Sequence, residues 1–196
     1  MVKIHKVIVV GDKQTGKTSL IMKYLDGVFP TNPQLDSSSK RKEVTIGNEN
    51  GYLDIWDTCK GEQRDSLSRL FFRKAEVALC VFDMSRKETF TNIEGWLKTL
   101  RDNCDENTNL SIILVGAKND IAKKEVSMDE LKSFAEQHNL PYFVCATISF
   151  SDRGCEQIFN KVISLVGNHD TANDEGAITD FGERPEQQTK KKMCAM

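Results

Sequence analysis

The run Gly11-Asp12-Lys13-Gln14-Thr15-Gly16-Lys17-Thr18 meets every fixed position of the phosphate-cradling pattern G-x-x-x-x-G-K-(S/T). Its flanks agree with it. Val7-Ile8-Val9-Val10 before it is a short β-branched strand, and Ser19-Leu20-Ile21-Met22-Lys23-Tyr24-Leu25 after it is apolar at helical spacing. Glycines let a backbone wrap an anion, and successive N–H groups at a helix N-terminus point at a β-phosphate. Lys17 would neutralise charge there, and the Thr18 hydroxyl would ligate Mg²⁺. The phosphate-binding candidates are Asp12, Lys13, Gln14, Thr15, Gly16, Lys17, Thr18 and Ser19. A strand-turn-helix that binds nothing is the bland alternative, and motif and context together speak against it.

Composition sets bounds. The chain has 196 residues, 39% apolar and 29% charged, which predicts one ordinary globular domain, with or without a tail. A net charge of −2 argues against a general nucleic-acid binder, whose footprint would be strongly basic. Met1-Val2-Lys3-Ile4 leads straight into the first strand, so no signal peptide is expected, and no apolar run approaches the roughly 18 residues of a spanning helix. Six cysteines lie scattered without metal-ligand spacing, as reduced cysteines of a cytosolic protein would.

Strands and helices alternate. A strand over about 3–10 and a helix over about 17–27 lead into a polar stretch from Val28 to Ser39. A hairpin is predicted from 43–46 and 52–56 around a turn at 47–51, then a helix over about 64–75 and a buried strand over 77–82. A helix over about 87–102, a strand over 111–115, a helix over about 128–138, a strand over 141–146 and a helix over 154–165 complete the series. Ser127 and Glu130 form a capping signature before the fourth of these helices. Apolar strands alternating with helices predict an α/β fold, its mostly parallel sheet covered on both faces and its ligands at the carboxyl ends of the strands.

Past Gly167 periodicity stops, and 168–196 reads as a disordered tail beyond a domain over 1–167. It ends Lys190-Lys191-Lys192-Met193-Cys194-Ala195-Met196. A triple lysine beside a near-terminal cysteine suggests prenylation at Cys194 with electrostatic support from an anionic membrane. Cys194 is third from the end, however, whereas a C-a-a-X signal has its cysteine fourth. A solvated basic tail with an incidental cysteine stays open.

Two more strand ends carry chemistry. Ile55-Trp56-Asp57-Thr58 places an aspartate where it can hold Mg²⁺ together with Thr18. Leu114-Val115-Gly116-Ala117-Lys118-Asn119-Asp120 ends a strand with Lys-x-Asp. There a buried Asp120 could accept the paired N–H donors on one edge of guanine, with the Lys118 stem over the ring. Adenine lacks that donor pair and would leave the carboxylate unpaired.

With these segments the chain resembles the Ras superfamily of small GTPases, and its Rab branch most closely. Trp56-Asp57-Thr58, Phe82-Asp83-Met84-Ser85, Thr89-Phe90 with Ile93 and Trp96, and Leu114-Val115-Gly116 carry the likeness over about residues 3–165. The stretch Val10 to Leu20 with Lys23-Tyr24 also looks like small GTPases that control septum formation and mitotic exit. The resemblance implies a P-loop NTPase fold, a small G-domain with a mixed six-stranded sheet. It also implies GTP or GDP with Mg²⁺ as ligands, with effector, exchange-factor and activating proteins as partners. A monomer is implied, on the cytosolic face of an intracellular membrane. By the same likeness Phe29 packs edge-on against guanine, and Thr147 and Ile148 occupy the segment whose backbone meets the guanine oxygen, a poor match in residue type.

Departures from the family are uneven. Where Asp-x-x-Gly-Gln is expected, the chain reads Asp57-Thr58-Cys59-Lys60-Gly61-Glu62-Gln63, so Lys60 replaces the glycine at the γ-phosphate and Gly61 the water-orienting glutamine. Gln63 could act from a slipped register. Lys13 stands beside the γ-phosphate in place of a small residue, and the polar stretch lacks its threonine, leaving Asp36, Thr31 or Ser37 nearby. Ala117 replaces an asparagine that ties the base loop to the phosphate loop. Groups that hold diphosphate and guanine persist, and those that sense and hydrolyse the γ-phosphate do not. The resulting expectation is a switch in vesicle traffic with slow turnover of GTP and water to GDP and phosphate. A non-hydrolysing interaction module and a septation regulator stay open beside it. A P-loop kinase is disfavoured by Lys118-x-Asp120 and by the lack of a lid-type second domain.

Overall fold

A computed structural model describes residues 2–27, 39–58, 67–104, 109–146 and 153–177, with side chains described as far as 168. Strand β1 (Lys3–Val10) and helix α1 (Lys17–Asp26) flank the glycine-rich run, as expected. Strands β2 (Ser39–Ile46) and β3 (Glu49–Asp57) pair antiparallel, and β4 (Ala75–Asp83), β5 (Ser111–Ala117) and β6 (Tyr142–Val144) extend the sheet in parallel. The order is β2-β3-β1-β4-β5-β6, so the carboxyl ends of β1, β3, β4, β5 and β6 all face one edge.

Period-two alternation explains the two cores. Along β1, Val7 and Val9 point to one face, where they meet Leu20 and Ile21 of α1 and Ile158, Phe159 and Val162 of the last helix, α6 (Gly154–Ala177). Ile8 and Val10 point to the other, against Phe72, Ile93, Leu97, Leu100 and Leu131. Those side chains come from α2 (Arg69–Phe72), α4 (Ile93–Asn103) and α5 (Met128–His138), with the short α3 (Lys87–Thr91) between β4 and α4. A strand covered on both faces has no polar side to show, hence its unbroken apolar run.

Boundaries differ from expectation for identifiable reasons. The hairpin turns at Gly47-Asn48 alone, with Ile46 opposite Glu49, because Gly47 takes φ 59° and a two-residue loop then closes. Antiparallel pairing carries β2 back through polar Ser39-Lys40-Arg41-Lys42, which hydropathy did not mark as strand. The helix expected over 64–75 is, among the described residues, one turn: Arg73 N–H bonds Arg69 O, and Lys74 at φ 58° turns the chain into β4 at Ala75. The helix expected over 87–102 divides at Asn92, whose side chain is committed to the phosphate loop. The last strand is shorter than 141–146, and α6 runs to Ala177, past its expected end at Leu165. Among the described residues Cys80, Cys104, Cys145 and Cys155 form no disulfide with one another, and burial pushes the Cys80 thiol up to about 12. Among the described residues no helix is long and apolar enough to cross a membrane.

Candidate nucleotide site

The phosphate loop is shaped by backbone that only certain residues tolerate. Gly11 sits at φ 140°, and a Cβ there would lie 2.0 Å from the carbonyl oxygen of Val81 on β4. Gln14 at φ 59° and Gly16 at φ 102° reverse the chain into α1. Gly16 caps that helix without a side chain, so the first-turn N–H groups have no side-chain acceptor from the cap. The Thr15 hydroxyl closes the loop on Asp12 O at 3.0 Å. Lys17, 4% exposed, curls back and donates to Gly11 O at 2.9 Å and Asp12 O at 2.7 Å. Its ammonium is thereby held over the centre of the loop.

Thr18 and Asp57 meet at this edge. The Thr18 hydroxyl donates to Asp57 Oδ2 at 2.8 Å, and both side chains are buried. Thr58 anchors the end of β3 by donating its hydroxyl to Val9 O at 3.1 Å. A carboxylate and a hydroxyl side by side form a hard oxygen donor pair, which suits Mg²⁺. The residues therefore fit a magnesium phosphate at this loop.

At the end of β5, Lys118 takes φ 60° and starts a turn closed by Ile121 N–H to Lys118 O at 3.1 Å. Asn119 N–H bonds Cys145 O at 3.1 Å, joining the turn to the chain just after β6. Asp120 projects from this turn and is exposed, not buried as the sequence argument had it. Among the described residues no neighbouring element covers this tip of the strand-end turn. Lys118 does not extend freely: its ammonium donates to Asp83 Oδ2 at 2.7 Å. The buried Ala117 methyl faces Gly16, at 3.6 Å from where a Cβ on that glycine would stand. The base loop thus meets the phosphate loop there through an apolar contact.

Phe29, Asp36, Lys60, Gly61, Gln63, Thr147, Ile148 and Cys194 lie outside the described residues, as do Thr31 and Ser37. The remaining nucleotide-binding candidates lie along one sheet edge.

Four residues of the site were missed as site residues, although two of them, Asp83 and Trp96, are among those that carry the family likeness. The Asp12 carboxylate accepts from Asn92 Nδ2 at 2.7 Å and from Trp96 Nε1 at 2.9 Å, one turn apart on the same helical face. Asp83 receives Lys118 and Arg86, and Arg86 Nη2 donates to Lys13 O at 2.8 Å. One signal was available, a carboxylate ending the apolar run Val81-Phe82-Asp83 at the ligand edge of the sheet.

The profile of the Ras family matches residues 6–168. The chain belongs to that family. It is 32% identical over 175 residues to the Ras-related protein Rab-2B of Dictyostelium discoideum, covering 84% of this chain and 85% of the relative. Ras-related protein Rab-11A of the same organism is 28% identical over 83% of this chain and 76% of its own length. GTP-binding protein ypt3 of Schizosaccharomyces pombe is 26% identical over 92% of this chain and 86% of its own. These relatives make the fold a Rab-like small GTPase, with the guanine-nucleotide binding that membership implies.

Proposed function

We propose that this chain is a Mg²⁺-dependent guanine-nucleotide switch in membrane traffic whose intrinsic GTP hydrolysis is slow. The observation that carries the reading is the pairing of the Thr18 hydroxyl with Asp57 beside the inward-curled Lys17. Lys17 and the first-turn N–H groups of α1 would hold the β-phosphate, Thr18 and Asp57 the metal, and Asp120 the guanine edge. Bound Mg²⁺ would neutralise phosphate charge. Phe29, Thr147 and Ile148 are proposed as further base contacts by family likeness. Lys60 and Gly61, standing where a glycine and a water-orienting glutamine are expected, support slow turnover.

The same two residues favour a second reading, a nucleotide-stabilised interaction module that does not hydrolyse GTP. Identifying the co-purifying nucleotide by chromatography and then following phosphate release in a single turnover separates the two. Guanine nucleotide with slow release supports the switch, and guanine nucleotide with no release supports the module. Adenine nucleotide would overturn both.

Attachment to a membrane through lipid on Cys194 belongs to this proposal. One lipid chain binds only marginally, so Lys190, Lys191 and Lys192, at about 1 kcal/mol each near an anionic surface, would supply the second signal. Intact mass of the native protein tests it: an unmodified C-terminus ends the idea.

A further inference from the structure

We propose that Asp83 is a positioning residue that joins the base-binding loop to the phosphate loop, doing through Lys118 and Arg86 what Ala117 has no polar group to do. The proposal rests on the guanine-nucleotide reading above and adds to it a route of coupling between the two halves of the site.

Asp83 ends β4 and is 1% exposed. Its two oxygens have different work. Oδ1 accepts from Ser85 N–H at 2.9 Å and Ser85 Oγ at 2.7 Å, which closes the turn into α3. An asparagine oxygen could do the same. Oδ2 accepts from Lys118 Nζ at 2.7 Å and Arg86 Nε at 3.1 Å, and asparagine could not hold both cations. Arg86 then reaches on to Lys13 O at 2.8 Å. The continuous path is Lys118, Asp83, Arg86 and the Lys13 carbonyl, from the residue that precedes Asp120 by two to the middle of the phosphate loop.

Energetics favour a shared role over a decorative one. A buried carboxylate is costly unless paired and hydrogen-bonded, and here two cations and a serine satisfy it. Burial acts to raise the Asp83 pKa, yet the hydrogen bonds from Lys118, Ser85 and Arg86 prevail and hold it below its ordinary value. The pairing with both loops therefore favours the ionised form of the carboxylate. Removing either cation leaves the buried carboxylate under-compensated, so the hold on each loop depends on the other loop's partner.

A double-mutant cycle on the full chain tests this. Dissociation of a fluorescent GDP is measured for wild type, Arg86→Met, Lys118→Met and the double variant, then for the same set in an Asp83→Asn background. Each single change should speed release. The double variant should release at least about threefold slower than the product of the single effects, and the discrepancy should vanish with Asn at 83. Multiplicative effects in the Asp83 background would overturn the relay. Amide hydrogen exchange of the protein as purified gives a readout that needs no added nucleotide. Arg86→Met should loosen both 11–16 and 116–121, and loosening confined to 11–16 would also overturn it. If wild type fails to bind the fluorescent GDP, the guanine reading falls, and the exchange data still decide the relay.

Discussion

Thr18 donates its hydroxyl to Asp57 across 2.8 Å, tying the first turn of α1 to the end of β3. Strands β1 and β3 pair in register from Lys3 opposite Gly51 to Val9 opposite Asp57, which sets Asp57 beside the strand end from which the phosphate loop and α1 follow. A pair carried by a helix and a strand is placed more precisely than one carried by loops alone.

The first prediction follows from that pair. Thr18→Asn exchanges a compact hydroxyl for a longer amide between Lys17 and Asp57. It should weaken Mg²⁺ and GTP binding while leaving the fold intact. Isothermal titration checks it, and unchanged affinities for metal and nucleotide would remove Thr18 from its proposed role.

The second concerns the base. Asp120→Asn replaces one carboxylate oxygen by an N–H₂ donor, which matches a carbonyl rather than an amino group on the ring edge. Preference should move from guanine toward xanthine nucleotides, read by competition between the two against a fluorescent analogue. Wild type should bind GDP and GTP and reject ATP, and comparable ATP affinity would sink the assignment of Asp120.

How far the sequence alone reached can be seen at particular residues. The strands of the inner sheet were legible because apolar residues on both faces leave an unbroken run, as at Val7 to Val10. The first half of β2 was not, since Ser39 to Lys42 owe their strand to β3's hydrogen bonds and not to their own side chains. Lys17, Thr18 and Asp120 could be proposed from sequence because phosphate and guanine chemistry demands residue types at fixed spacings, and the structure places all three at the carboxyl edge of the sheet. Asp83, Arg86, Asn92 and Trp96 were not given roles, because each acts through a contact between 35 and 84 residues away in sequence. Pairings of that range follow from topology, and no local pattern encodes them.

Gly11 offers a third prediction, on stability. Its φ of 140° disfavours any side chain, and a methyl would lie 2.0 Å from the Val81 carbonyl oxygen, which belongs to the backbone of β4 and cannot rotate away. Strain of about 1–3 kcal/mol and overpacking of similar size should combine in Gly11→Ala. The expected result is a fall in Tm of many degrees, or loss of soluble protein. Gly27→Ala makes the comparison, because among the described residues nothing lies within 4 Å of its Cβ position, and the strain of its φ of 73° alone should cost less. Equal melting temperatures for the two variants would contradict the close approach.

The capping box of α5 supports a fourth. Ser127 Oγ accepts from Glu130 N–H at 3.2 Å, and Glu130 Oε2 accepts from Ser127 N–H at 3.0 Å. Ser127→Ala should cost about 1 kcal/mol, read from denaturant unfolding. Glu130 also bonds Lys87, and these contacts, with Lys87 first, hold its carboxyl down at about 2 from an ordinary 4.5. A depressed carboxylate contributes stability above its unfolded pKa and loses it as pH falls. Glu130→Gln should therefore differ from wild type near neutral pH and converge with it between about 4.5 and 2. A gap that stays constant through that window would assign the effect to packing instead.

The last prediction concerns turnover. Hydrolysis of GTP in this class depends on placing a water in line and stabilising spread charge, with little covalent chemistry for the protein to do. Lys60 stands where a glycine N–H is expected at the γ-phosphate, Gly61 where a glutamine orients the water, and Lys13 where a small residue leaves room. Intrinsic hydrolysis should be at or below that of unassisted Ras, roughly 3–5 × 10⁻⁴ per second. Lys60→Gly with Gly61→Gln should raise it, whereas Gly61→Gln alone leaves Lys60 to misplace the segment. Lys13 adds a separable effect, because its carbonyl is held by Arg86 and only its side chain need change. Lys13→Ser should therefore act on the chemical step without loosening the loop. Single-turnover phosphate release on the wild type, the double variant and the triple variant decides the matter. A wild-type rate well above the Ras figure, or a double variant no faster than wild type, would move the water-positioning role to another residue, with Gln63 and Asp36 the first to replace.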